Sequence, residues 1–88
     1  MTETPWSVEV EQRAKKDLAR LDRQVQLRVV KAIRALAEDP PNGSLRKLVG
    51  RRESRLRVGD WRVLVMLENE NRTIQILRVL PRGRAYDR

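Results

Sequence analysis

Apolar positions along this chain recur with two different periods, and the change of period divides the chain in two. Val10, Ala14, Leu18 and Leu21 are spaced by four, four and three. That spacing is one stripe of an amphipathic helix. Val25, Val29, Ile33 and Leu36, within Gln24 to Ala37, form a second stripe of the same kind. Asp22 stands between them and can cap the second helix. So few residues separate the stripes that they predict an antiparallel helical hairpin. Asp39-Pro-Pro-Asn-Gly43 ends the second helix through proline restriction and turn chemistry.

Before and after the hairpin the period falls to two. Trp6-Ser-Val-Glu-Val10 alternates and predicts a first strand. Ser44–Glu53 is a basic connector, carrying Arg46, Lys47, Arg51 and Arg52. Strands are then predicted at Ser54–Val58, Trp61–Glu68 and Arg72–Leu80. Turns at Gly59-Asp60 and Asn69-Glu-Asn71 join them, and Pro81-Arg-Gly83 ends the last one. Apolar residues on both faces make that last strand a central one. The order β-α-α-β-β-β predicts a single α+β domain over residues 1–88. Its four-stranded, mainly antiparallel sheet would carry the helical hairpin on one face.

A two-residue Gly59-Asp60 loop pairs Val58 with Trp61, Arg57 with Arg62, Leu56 with Val63 and Arg55 with Leu64. Leu56, Val58, Trp61 and Val63 then share the core face, while Arg55, Arg57 and Arg62 share the other. Like charges placed opposite one another in a sheet are destabilising. Three guanidinium groups set together on a free face therefore predict a phosphate-binding surface. The next hairpin leaves two registers open. A three-residue loop places Arg78 opposite Arg62, and a two-residue loop places Leu77 there.

Charge supports an anionic partner. The 88 residues carry a net charge of +8, and the excess is uneven. Residues 1–42 hold eight basic and seven acidic groups, whereas 43–88 hold twelve basic and five acidic. Only four of the twenty basic residues are lysine, and arginine forks suit bidentate phosphate contacts. Neither cysteine nor histidine is present. Disulfides, thiolate metal sites and the usual general base are thereby excluded. The carboxylates form no catalytic pair: Asp60 belongs to a turn and Glu68 to a strand end. We expect no metal and no cofactor. Without a transmembrane-length apolar run or a signal-peptide core at Met1–Val10, a cytoplasmic location is expected.

Lys47-Leu-Val-Gly50, Arg55-Leu-Arg-Val-Gly-Asp-Trp-Arg-Val63 and the tail from Arg82 to Tyr86 together resemble the RelE/ParE toxin superfamily. These proteins are the toxin halves of bacterial type II toxin–antitoxin pairs, and the likeness covers essentially the whole chain. A RelE-like member would cleave messenger RNA, usually on the ribosome, and so arrest translation and growth. A ParE-like member would inhibit DNA gyrase without hydrolysis. A degraded toxin fold would do neither. The resemblance places Arg55, Arg62, Arg82 and Tyr86 at functional positions. Glu53 stands where active relatives carry lysine, and Leu80-Pro81 where a histidine is often found.

For a metal-free ribonuclease, Arg62 and Arg82 are candidates for the scissile phosphate, and Arg55 for orienting it or steadying the 5′-leaving oxygen. Tyr86 would transfer a proton or stack on a base, and Lys47 is a second candidate base. Lys47, Arg51, Arg52, Arg57, Arg78 and Arg84 are further candidates for RNA contact. The resemblance also implies an acidic, RelB-like antitoxin with a wrapping segment. It would form a toxin–antitoxin hetero-oligomer and could cover the arginine face.

Overall fold

The computed structural model describes residues 6–38 and 52–81, and the backbone of 45–47. Its elements are β1 (Ser7–Val10), α1 (Gln12–Ala19), α2 (Arg23–Glu38), β2 (Leu45–Lys47), β3 (Ser54–Val58), β4 (Trp61–Glu68) and β5 (Thr73–Pro81). The expectations for the turn at 39–43 and the break at 82–83 lie outside the described residues.

Both helices follow their apolar stripes. Ala14 of α1 and Val29, Ile33 and Leu36 of α2 are buried, with Val10, Leu18, Leu21 and Val25 packed against them. Asp22 caps α2 as expected, its Oδ1 accepting a hydrogen bond from Val25 N–H at 3.0 Å. The link between the helices is tight. Leu21 N–H donates to Leu18 O at 3.1 Å, and the Gln26 amide Nε2 donates to the same oxygen at 2.7 Å.

The strands form one sheet in the order β1-β5-β4-β3-β2. Only β1 is parallel to its neighbour, pairing with β5 from Ser7↔Thr73 to Val10↔Ile76. The other pairs are antiparallel. The expected element order holds, with β5 flanked on both sides. One strand is added inside the basic connector, where three residues pair with β3 as β2. A stretch this short has no readable period, so only its partner reveals it. Leu56, Val63, Val65, Ile74, Ile76 and Val79 form the sheet's side of the core.

The β3–β4 hairpin has the predicted register, Val58↔Trp61 through Arg55↔Leu64. Gly59 sits at φ +59°, and Asp60 is not in the positive-φ region. This is the pattern of a type II′ turn, with glycine at its first central position. The β4–β5 hairpin takes neither of the two expected registers. Glu68 pairs with Thr73, so its loop has four residues, closed by Arg72 at φ 49° donating its N–H to Asn69 O. Further along, Val65 faces Ile76 while Leu64 faces Arg78, so Leu77 is the extra residue of a β-bulge. Leu80 therefore lies opposite Arg62.

A carboxylate on α1 closes the edge of β5. After Val10↔Ile76, β1 turns away and Glu11 N–H donates to Ile76 O. Past that point Asp17 takes over. Its Oδ2 accepts from Val79 N–H at 2.9 Å and from Arg78 Nε at 2.8 Å, and its Oδ1 accepts from Arg78 Nη2 at 3.2 Å. Burial alone would raise the Asp17 pKa. The hydrogen bonds from Arg78 and Val79, with the charges of Arg78 and Arg20, outweigh it and hold the value below the ordinary one. The Asp17 hydrogen bond in turn raises the Arg78 pKa.

Asp17→Ala leaves Val79 N–H and the Arg78 fork without this acceptor. It should cost about 2–3 kcal/mol in urea unfolding at neutral pH. Asp17→Asn keeps one acceptor oxygen and should cost less. A lowered folded-state pKa means the carboxylate's contribution is complete above about pH 4 and is lost as pH falls through the folded value. Acid titration of stability should therefore show a decline in the wild type that Asp17→Asn lacks. An equal decline in both would remove Asp17 from this role.

Candidate functional site

The β3–β4 hairpin sets Arg55, Arg57 and Arg62 on one side of the sheet, as its alternation requires. Arg57 and Arg62 are direct cross-strand partners, and Arg55 stands diagonal to Arg62 across Leu64. Arg57 is exposed and Arg55 half-buried. The expectation that all three occupy a free surface is corrected at Arg62, which is only 7% exposed. Both Arg55 and Arg62 are engaged in interactions of their own.

The reason for the burial lies in β4 itself. Arg62, Leu64 and Met66 alternate onto this side, and Leu80 joins them opposite Arg62. Leu64 is 9% exposed, yet stands outside the connected core beneath the helices. The arginine face therefore has apolar packing of its own. Arg62 is anchored within it, whereas Arg57 projects into solvent. A guanidinium held in place costs little reorganisation when an anion arrives, which a flexible surface arginine does not offer.

Arg78 leaves this group. Although its backbone lies opposite Leu64, its guanidinium pairs with Asp17 at 2.8 Å, and a third of its side chain remains exposed. Arg52 is exposed just ahead of β3, and Glu53 beside it is half-buried. In backbone register Arg46 stands opposite Arg55. Arg51, Arg82, Arg84, Tyr86 and the side chain of Lys47 lie outside the described residues.

Two residues escaped the sequence reading. Arg46 was visible as a connector charge, but its place beside Arg55 follows only from the β2–β3 pairing. Asp17 carried a faint signal, as an acid three residues after buried Ala14 on the margin of the α1 stripe. Its partner lies 61 residues away, beyond the reach of any periodicity.

Asp17, Arg20, Trp61, Arg78, Leu80 and Pro81 border a cleft of about 280 Å³ between the α1–α2 turn and the end of β5. Trp61 thus packs against the core, as its face predicts, and also lines this cleft. The cleft ends at Pro81, one residue before Arg82 in the chain. Among the described residues no helix is long and apolar enough to cross a membrane.

Comparison with solved structures finds the same architecture in toxins. The toxin–antitoxin complex RelBE2 of Mycobacterium tuberculosis matches with a TM-score of 0.81 and 28% identity, covering 90% of this chain and 100% of that one. The archaeal RelE–RelB complex of Pyrococcus horikoshii matches with a TM-score of 0.79 and 28% identity, covering 92% and 99%. The isolated RelE toxin of E. coli shares the fold with a TM-score of 0.78 at 17% identity, covering 92% and 88%. No curated protein matches the chain. The family model described as the ParE toxin of the type II toxin–antitoxin system parDE matches residues 8–86. By this match over nearly its whole length, and by its fold, the chain belongs to the ParE toxin family, within the RelE/ParE superfamily of type II toxins.

Proposed function

We propose that this toxin is a RelE-like endoribonuclease that cleaves messenger RNA on the ribosome and is held inactive by an acidic antitoxin. The observation that carries this reading is the hairpin register, which gathers Arg55, Arg57 and Arg62 on one side with Arg62 anchored. The solved relatives that are complexes of RelE with RelB support the antitoxin partner.

In this mechanism the RNA supplies its own nucleophile. The 2′-oxygen attacks the adjacent phosphorus and loses its proton. A 2′,3′-cyclic phosphate forms as the bond to the 5′-oxygen breaks, and that oxygen takes up a proton. The protein must orient the groups and stabilise the added negative charge on phosphorus. Arg62 and Arg82 would contact the scissile phosphate, and Arg55 would steady it. Arginine does not serve as base, because it stays protonated. Tyr86 is assigned the proton transfer or base stacking, and Lys47 stands as the other base. Arg52 and Arg57, with Arg51 and Arg84, would follow the RNA backbone. We give Arg78 a different task from RNA contact: paired with Asp17, it holds the end of β5 from which the Arg82–Tyr86 tail departs.

A second reading is inhibition of DNA gyrase without hydrolysis. The family model that matches is the ParE one, and Glu53 replaces the lysine of active nucleases. The two readings separate on RNA. After brief expression without antitoxin, mapped 5′ ends should appear inside translated reading frames, and Arg82→Ala should remove them. Tyr86→Phe should abolish cleavage if Tyr86 moves a proton and preserve it if the ring stacks. Intact transcripts with growth arrest and DNA-damage signalling would transfer the assignment to gyrase.

Arg57 offers a test independent of catalysis. Being exposed, Arg57→Ala should change folding stability by no more than about 0.5 kcal/mol. It should lower the salt dependence of RNA binding by about one phosphate contact, a slope change of roughly 0.7 on single strands. Titrations at several salt concentrations read this directly, and an unchanged slope would take Arg57 off the RNA path.

A further inference from the structure

The cleft between the α1–α2 turn and the end of β5 lies on the opposite side of the sheet from the arginine hairpin, and the function above leaves it unused. The chain has two tryptophans, one tyrosine and no phenylalanine. One of these scarce rings, Trp61, lines the cleft and is only half-buried, although Val63 and Val65 on the same strand are fully buried. Leu21, Leu80 and Pro81 continue the apolar wall. The rest of the lining includes three charged residues, Asp17, Arg20 and Arg78. Asp17 and Arg78 neutralise each other. Arg20 is exposed at the C-cap of α1 and leaves the lining with one positive charge over. Its charge acts on the Asp17 carboxyl, so its guanidinium stands at the same rim.

Size and wall chemistry narrow the ligand. At about 280 Å³ the cleft is at the small end of pockets that hold whole organic ligands, so it takes one ring system and not a helix. A free phosphate would use Arg20 and leave the indole and Leu80 without a role. A purely apolar group would leave Arg20 without one. A planar heteroaromatic ring carrying a phosphate uses both, the ring lying on the indole and the phosphate meeting the guanidinium. Position argues for the same chemistry. Trp61 precedes Arg62 in β4 and pairs with Pro81, which precedes Arg82. Neighbouring strand residues point to opposite faces, so the cleft and the arginine face share one end of the sheet. A nucleic-acid strand that rounds this end meets both.

We propose that this cleft is a subsite for one nucleotide of single-stranded RNA, with its base stacked on Trp61 and its phosphate on Arg20. The proposal rests on the ribonuclease reading in taking RNA as the ligand, and it adds a contact on the side of the sheet opposite Arg55, Arg57 and Arg62. Arg78 stays with Asp17 and only shapes the wall. Every base has a π-face, so stacking here supplies affinity and position along the strand more than choice of sequence. Its consequence is that the RNA is held on both sides of the sheet end.

The probe is a short, labelled oligoribonucleotide with 2′-O-methyl sugars, which can bind but offers no 2′-hydroxyl to attack. It is titrated against toxin carrying Trp6→Phe, in which Trp61 is the sole tryptophan. Anisotropy of the label reports binding, and circular dichroism reports the fold. Trp61 fluorescence should be quenched in step with binding. Removing one base at a time along the probe should reveal a position whose loss weakens binding about tenfold and abolishes the quenching. In Trp61→Leu, which keeps an apolar side chain, the penalty at that position should vanish, because the base has lost its partner. Arg20→Gln should lower the salt slope by about 0.7, one phosphate contact on a single strand. If Trp61→Leu does not fold, the quenching and the Arg20→Gln slope decide. Binding without quenching, an unchanged slope, or the same base penalty in Trp61→Leu would overturn the proposal. So would failure of the probe to bind, or quenching by the antitoxin but not by RNA. A probe that binds and quenches while messenger RNA stays intact in cells would overturn the nuclease reading and support the subsite. Cleavage of messenger RNA with no quenching by the bound probe would do the reverse.

Discussion

One carboxylate joins the two halves of this molecule where strand pairing runs out. Beyond Ile76 no strand among the described residues lies on the outer edge of β5, because β1 has already turned into α1. A main-chain N–H left without a partner in a largely buried place costs about 1–3 kcal/mol. Asp17 meets that demand at Val79 and grips Arg78 with its remaining hydrogen-bonding capacity. α1 is thereby set against β5, and the end of β5 is set relative to the hairpin that presents Arg55, Arg57 and Arg62. The same contact takes Arg78 out of the pool of free cations. A net charge of +8 overstates what is available to an anionic ligand.

The arginine hairpin resolves an electrostatic conflict by dividing its residues. Two guanidinium groups placed directly across a strand pair repel each other. Arg62 is buried and has an interaction of its own, whereas Arg57 is exposed. One guanidinium is withdrawn from solvent and the other is available to long-range attraction of anions. Such division of labour is a more specific property than basic character, and it follows from β4 carrying apolar side chains on both faces.

The two faces of the sheet also differ in what they offer. One combines guanidinium groups with modest apolar packing. The other has the helical hairpin laid over it, with Leu27 and Val30 left on the outside and cations around them. The fold is shared with RelE toxins, but fold alone does not decide between a nuclease and a gyrase inhibitor. That decision rests on chemistry carried by a few side chains.

Local periodicity by itself determined the two helices, the Asp22 cap, the β3–β4 register and the side on which Arg55, Arg57 and Arg62 lie. Each depends on residues a few positions apart, where a period of 3.6 or 2 dictates direction. The second hairpin was not legible, because its four-residue loop closes on Arg72 in a left-handed conformation and its bulge inserts Leu77. Neither feature leaves a mark on the alternation. β2 exists only through pairing with β3. The burial of Arg62, the capture of Arg78 by Asp17 and the exposure of Leu27 were likewise decided by the tertiary structure. They depend on which distant surfaces meet, and a linear pattern encodes what each residue prefers but not which partner, 61 positions away, will satisfy it.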